Sequence, residues 1–157
     1  MIRHRVLFVC TGNICRSPTA EGVARGIAER MGVGDQFEFD SAATHDYHVG
    51  DPPDARSINA AQVRGYDLSG LRARRVSDFD FIRFDHLLAM DCGHLAWLER
   101  ACPDVRRHKL GLFLAYAERF EEDEVPDPYY GGAQGFERVL DLIEDAASQL
   151  ILRLTKK

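Results

Sequence analysis

Apolar and polar positions along this chain switch between two periods, and the switches mark its elements. Val6-Leu7-Phe8-Val9 is an unbroken apolar, β-prone run behind the polar Arg3-His4-Arg5, the pattern of a strand buried on both faces. Residues 19–31 then carry Ala20, Val23, Ala24, Ile27, Ala28 and Met31 at helical spacing, with Ser17 as N-cap and Pro18 at the first helical position. Gly32-Val33-Gly34-Asp35 breaks that pattern, and Phe37-Glu38-Phe39-Asp40-Ser41-Ala42 predicts a second strand, which completes one right-handed βαβ unit.

Residues 45–54 are rich in Gly, Pro and Asp and read as a loop at the sheet edge where the first strand ends; residues 55–64 read as a helix stopped by Gly65. Phe84-Asp85-His86-Leu87-Leu88-Ala89-Met90 predicts a third buried strand, followed by a helix near 94–101 and a weaker fourth strand at Arg107-His108-Lys109-Leu110. Residues 135–154 form a long amphipathic closing helix, with Phe136, Val139, Leu140, Ile143, Ala147, Leu150 and Leu154 on one side. Strands alternating with helices imply an α/β fold, a three-layer αβα arrangement around a central four-stranded parallel sheet. Ligands of such sheets bind beyond the strands' carboxyl ends, where the strand order changes direction. With no repeat, linker or low-complexity segment, the 157 residues read as one domain with a full-sized core.

The first strand ends on Cys10, and Thr11-Gly12-Asn13-Ile14-Cys15-Arg16 joins it to the helix that begins at Ser17-Pro18. Backbone N–H groups curled around Gly12 and Asn13, with the positive end of the helix dipole, favour an anion, and the Arg16 guanidinium can grip two of its oxygens. The same field favours thiolate at Cys10, since helix N-termini and nearby cations lower a free cysteine's pKa from about 8.5, and Ser17 can donate its hydroxyl to the sulfur. Expelling an alkoxide or phenoxide from phosphorus also needs an acid on the departing oxygen. Val125-Pro126-Asp127-Pro128-Tyr129-Tyr130-Gly131-Gly132 offers Asp127, held between two prolines beside two aromatic rings, although taken alone the stretch reads as a turn.

Cys10-Thr11-Gly12-Asn13-Ile14-Cys15-Arg16-Ser17-Pro18 resembles the signature of the low-molecular-weight protein tyrosine phosphatases, and the stretch around Asp127 resembles that family's Asp-Pro acid loop, in the same order and at a similar separation. The resemblance implies a phosphotyrosine phosphatase, active also on small aryl phosphates, working through a phosphocysteine intermediate. Cys10 would be the nucleophile, Arg16 the clamp on the phosphoryl group, and Asp127 the general acid and then the base. The phosphate-binding loop would comprise Thr11, Gly12, Asn13, Ile14, Cys15, Arg16 and Ser17. Asp40-Ser41-Ala42-Ala43-Thr44 matches a further stretch of the family, in which Asn13 and Ser41 brace the loop, although Ser41 alone reads as a strand-end serine. Tyr47, Tyr129 and Tyr130 would wall the mouth, the last two shielding Asp127 and open to phosphorylation, and a deep aromatic slot favours phosphotyrosine over phosphoserine. A relative specialised for phosphoarginine carries threonine where this chain has Ile14, so Ile14 points to tyrosine. Cys15 would be the redox partner that traps an oxidised Cys10 as a reversible disulfide. One departure is plain: Leu71 stands where the family commonly has a histidine that helps to brace the loop asparagine.

A net charge of −5 argues against nucleic-acid binding, and Arg72, Arg74 and Arg75 read as a solvated face, as does the acidic run at 121–124. Arg3, His4 and Arg5 interrupt any leader-like apolar core, and no apolar run is long enough for membrane insertion. Four cysteines are too few for a disulfide framework and a nucleophilic thiol needs reducing surroundings, so the expected location is cytoplasmic. Cys92, His94, Cys102 and His108 match no usual zinc spacing, and His45 and His48 read as solvated, so neither a metal nor a cofactor is assigned. The expected partners are phosphotyrosine-containing proteins and, as a candidate regulator, a cognate tyrosine kinase; the expected state is a monomer or weak dimer. Two rival readings are an arsenate reductase of the same fold, passing oxidation on through Cys92 and Cys102, and a silent phosphotyrosine-binding module. The intact set Cys10, Arg16 and Asp127 argues against the second.

Overall fold

The computed structural model describes residues 1–128 and 132–156. Strand β1 spans His4–Cys10 and lies between β2, Phe37–Ala43, and β3, His86–Ala89; β4, Leu110–Leu112, closes the sheet in the order β2-β1-β3-β4. All pairings are parallel, with Cys10 opposite Ala43 and Val9 opposite Ala89. As expected of an unbroken apolar strand, β1 is covered on both faces. Val6, Phe8 and Cys10 point into one core cluster, and Leu7 and Val9 into the other.

Helix α1, Arg16–Arg30, and the closing helix, Ala133–Thr155, share the first cluster through Ala20, Val23, Ala24 and Ile27 on one side and Val139, Leu140, Ile143, Ala147 and Leu150 on the other. Between them in the chain, α2 spans Ala55–Val63, the short α3 spans Asp80–Arg83, and α4 spans Cys92–Ala101, so the closing helix is α5. Phe81 and Phe84, in and after α3, and Leu98 of α4 fill the second cluster. The result is the three-layer αβα arrangement that the periodicity predicts.

Three local expectations need correction. Helix α1 begins at Arg16, with Cys15 rather than Ser17 at its N-cap, and Cys15 makes no side-chain cap. The Ser17 hydroxyl is engaged by Cys10 and Asn13 and is therefore unavailable for capping; Pro18 is tolerated because first-turn N–H groups have no intrahelical partner. The fourth strand starts at Leu110, because residues 104–109 form a 3-10 turn in which the Lys109 ammonium donates to the carbonyls of Phe81 and Ile82; Leu110 and Leu112 then pair with β3. The third strand is shorter than its apolar run, since Phe84 ends α3 and Asp85 turns back to accept from the Arg5 N–H.

One carboxylate gathers the start of the chain between β4 and α5. Asp145, 7% exposed on α5, accepts from the backbone N–H groups of Glu118, Arg119 and Phe120, and this fixes the route toward Val125 and Asp127. Replacing Asp145 with alanine is expected to lower the free energy of unfolding by about 2 kcal/mol, because several donors lose a charged acceptor at once. Urea titration checks this, and an unchanged midpoint would contradict it.

Candidate active site

Cys10 ends β1 at 3% exposure, and the loop after it turns back on itself at Asn13, which takes φ 58°, the left-handed region uncommon for a residue with a Cβ. That conformation is held by the asparagine side chain itself. Its Nδ2 donates to Ser17 Oγ at 2.8 Å and to Ser41 Oγ at 2.9 Å, and its Oδ1 accepts from the Arg74 backbone N–H at 3.1 Å. Ser41 passes its own proton on to Glu21 Oε1 at 2.7 Å, and Glu21 is paired through its other oxygen with Arg25. Burial pushes the Glu21 carboxyl pKa up, while the bonds from Ser41 and Arg25 oppose that rise.

Ser17 Oγ lies 3.0 Å from Cys10 Sγ. Asn13 already donates to Ser17, and a sulfur present as thiolate, which can only accept, would take the single hydroxyl proton. Arg16, 6% exposed, is aimed by an ion pair of Nη1 with Asp91 Oδ2 at 2.9 Å and a bond to the Val125 carbonyl at 3.1 Å. Its other terminal nitrogen, Nη2, lies 3.9 Å from Asp127 Oδ2.

The loop is also bonded to its neighbours. Thr44 N–H donates to the Cys10 carbonyl, His45 N–H to that of Thr11, and Asp54 N–H to that of Ile14; on the far side Met90 N–H donates to Val9 and Val125 N–H to Met90. The expected mouth loop and acid loop are thus fastened to the two sides of the β1 end. Together they leave a cleft of about 280 Å³ lined by Cys10, Thr11, Gly12, Ile14, Cys15, Arg16, Tyr47, His48 and Asp127.

Tyr47 stands 69% exposed at the mouth with its ring stacked on His45, centroids 5.1 Å apart. Tyr129 and Tyr130 lie outside the described residues. His48, read as solvated from the sequence, keeps a side chain 39% exposed and also lines the cleft. A Cβ at position 12 would fall 2.9 Å from its ring, so the close approach of loop and histidine needs Gly12. Cys15 is 6% exposed, and burial, reinforced by Asp54, pushes its thiol up to about 12.

Leu71 turns into the core beside the first cluster, and the third bond to Asn13 comes instead from the Arg74 backbone. The Arg74 guanidinium anchors that segment through Asp40 and Asp80, each at 3.0 Å. The brace therefore has a different composition from the one the resemblance implies. Cys92 and Cys102 sit at opposite ends of α4, one exposed and the other buried. Over ten residues of helix that is a separation of about 15 Å, too far for direct exchange between them. His94 turns to Thr11, with Nε2 2.7 Å from Thr11 Oγ1.

Asp91, His94 and Glu21 were missed as site residues, and the last two carry no sequence signal for the contacts they make. Asp91 had a readable signal: an Asx residue at the carboxyl end of a parallel strand, just before a helix, beside the strand that ends on Cys10.

The chain also matches known proteins in sequence and in fold. The sequence pattern of the family described as low molecular weight phosphotyrosine protein phosphatase matches residues 5–157. A low molecular weight protein-tyrosine-phosphatase of Streptomyces coelicolor is 43% identical over 151 residues, which cover 94% of this chain and 92% of the relative. A protein tyrosine phosphatase from Entamoeba histolytica, solved with Hepes in its active site, superposes with a TM-score of 0.94 at 39% identity, covering 96% of each chain. YfkJ from Bacillus subtilis superposes with a TM-score of 0.91 at 34% identity, covering 100% of this chain and 99% of its own. This chain, matched in fold and in sequence along nearly its whole length, belongs to the low molecular weight protein-tyrosine-phosphatase family of enzymes.

Proposed function

We propose that this protein hydrolyses phosphotyrosine on protein substrates, and small aryl phosphates, through a covalent phosphocysteine on Cys10. The observation that carries the reading is the convergence of three groups in one cleft. Cys10 lines it with its Sγ 3.0 Å from the Ser17 hydroxyl, Arg16 is held by Asp91, and Asp127 lies 3.9 Å from Arg16.

In the first step the Cys10 thiolate attacks phosphorus, the P–O bond to the tyrosine breaks, and Asp127 gives its proton to the departing phenoxide. The Arg16 guanidinium and the loop N–H groups take the phosphoryl oxygens, whose charge spreads in the transition state. In the second step Asp127 takes a proton from water, the water oxygen bonds to phosphorus, and the S–P bond breaks to return the thiolate and release phosphate. Ser17 assists here, because a thiolate with a donor aimed at it leaves more readily.

Tyr47 and Ile14 line the cleft and would supply apolar contact for an aryl ring, and a sulfur as buried as that of Cys10 favours the longer phosphotyrosine over the shorter phosphoserine. Cys15 is buried in the same loop, and burial and Asp54 keep it a thiol while Cys10 is reduced. When peroxide oxidises Cys10 to the sulfenic acid, Cys15 attacks it, giving a disulfide and releasing water. Free cysteines at Cys10 and Cys15 fit a reducing compartment, and we place the protein in the cytoplasm; no helix among the described residues is long and apolar enough to cross a membrane.

On matched phosphotyrosine, phosphoserine and phosphoarginine peptides, phosphate release is expected from phosphotyrosine alone and is expected to disappear in Cys10→Ser. Turnover of phosphotyrosine by Cys10→Ser would overturn the nucleophile assignment. Replacing Asp127 with alanine is expected to lower kcat by about 10²- to 10³-fold on phenyl phosphate, and far less on p-nitrophenyl phosphate, whose leaving group needs little protonation. Equal losses on the two substrates would remove Asp127 from the acid role. Arg16→Lys, which keeps the charge but loses the two-pronged grip, is expected to lower kcat/KM by more than about tenfold in the same assay.

A further inference from the structure

The Cys10–Ser17 loop is braced on one side by Asn13, Ser41 and Glu21, and its opposite side rests on the first turn of α4. We propose that His94 is a positioning residue for the phosphoryl-transfer reaction: its imidazole, set between Thr11 and Asp91, fixes the loop residue next to the nucleophile. This rests on the reading of Cys10 as nucleophile.

His94 is the third residue of α4, and its side chain is 7% exposed. Asp91 caps the helix by accepting from the His94 N–H at 2.9 Å, and the same carboxylate oxygen lies 3.1 Å from ring Nδ1. The two atoms are not aligned for a hydrogen bond, but a lone pair on Nδ1 so close to a negative oxygen is repelled and an N–H attracted, so we assign the ring proton to Nδ1. Nε2, 2.7 Å from Thr11 Oγ1, is then the acceptor of the threonine hydroxyl proton. Burial, and after it the Arg16 charge, lowers the His94 pKa to about 4, against the pull of Asp91 and Asp127, so the ring is neutral at physiological pH and keeps this acceptor role.

Thr11 is thereby held at two points, its carbonyl by the His45 N–H and its hydroxyl by His94. The second point matters because Gly12 follows, a residue with no side chain to anchor the turn. Phosphate oxygens in such a loop are met by backbone N–H groups, whose aim depends on the dihedral angles at these positions. The Asp91 that orients His94 also orients Arg16, so a single carboxylate sets the loop and the clamp relative to each other. Donors held in advance for the transition state act on kcat more than on KM.

The test is a double-mutant cycle of Thr11→Val and His94→Leu, assayed on p-nitrophenyl phosphate beside Cys10→Ser, with thermal unfolding of each variant. Each single change is expected to lower kcat by about tenfold with KM within about twofold, and the double variant to be no worse than the worse single one. His94→Gln, whose amide reaches the place of Nε2, is expected to recover most of the loss. In ¹⁵N-histidine NMR spectra the native His94 is expected as the neutral Nδ1–H form, with an Nε2 resonance that moves in Thr11→Val. Multiplying rather than overlapping effects, an unchanged kcat in His94→Leu, failure of glutamine to rescue, or an Nε2–H ring would each overturn the proposal. If His94→Leu does not fold, the NMR comparison of the native protein with Thr11→Val decides, and an unmoved Nε2 resonance rejects the proposal. Turnover by Cys10→Ser rejects the nucleophile reading, whereas an inactive Cys10→Ser beside a fully active His94→Leu rejects the role of His94 alone.

Discussion

An anion site built from backbone N–H groups must hold those groups together before the anion arrives, and here Asn13 supplies the restraint. Its left-handed backbone directs the turn, and its amide is bonded to Ser17 in the helix, to Ser41 in the neighbouring strand and to Arg74 in the following loop. Two of those partners are anchored in turn, Ser41 by Glu21 and the Arg74 segment by Asp40 and Asp80. The loop geometry is thus supported by elements scattered from position 13 to position 80, so the site forms only as the fold forms.

The parallel sheet explains why those elements meet. From β1 the chain crosses to β2 on one side and later returns to β3 on the other, which opens a crevice beyond the carboxyl end of β1. Cys10 ends one wall of that crevice and Asp91 follows the end of β3 on the other; the Val125 N–H bonded to Met90 brings the acid loop to the same place. Arg16 spans the gap, bonded at once to Asp91 and to the Val125 carbonyl. The arginine that would bind a phosphoryl group is therefore also the part that ties the two halves of the crevice together.

Electrostatics then separates residues that look alike in the sequence. Cys10 and Cys15 lie in one loop, yet the first has the Ser17 hydroxyl 3.0 Å from its sulfur while burial and Asp54 hold the second as a thiol. His48 and His94 are both unremarkable as letters. One lies beside Gly12 in the cleft, and the other is a buried neutral ring facing Thr11. These differences arise from enclosure and from neighbours distant along the chain, neither of which leaves a periodic trace.

The sequence by itself determined what depends on local pattern: the buried strand 6–9, the helices that follow it, the parallel α/β layering, and the adjacency of Cys10, Gly12, Asn13 and Arg16 within one strand-to-helix turn. It marked helix starts less well, because capping depends on whether a hydroxyl is free, and Ser17 is engaged by Asn13 and Cys10. It also placed the fourth strand too early, because the turn at 104–109 depends on Lys109 reaching carbonyls of α3. Only the tertiary structure decided which side chains hold the loop: Asp91 on Arg16, Glu21 on Ser41, the Arg74 backbone on Asn13 in place of a side chain at Leu71, and His94 on Thr11. Those partners are chosen by strand order and by the register of β1 with β2 and β3, which bring together residues up to 83 positions apart. A hydrogen bond across such a distance depends on where the backbone has been carried, not on which residues lie next to it in the chain.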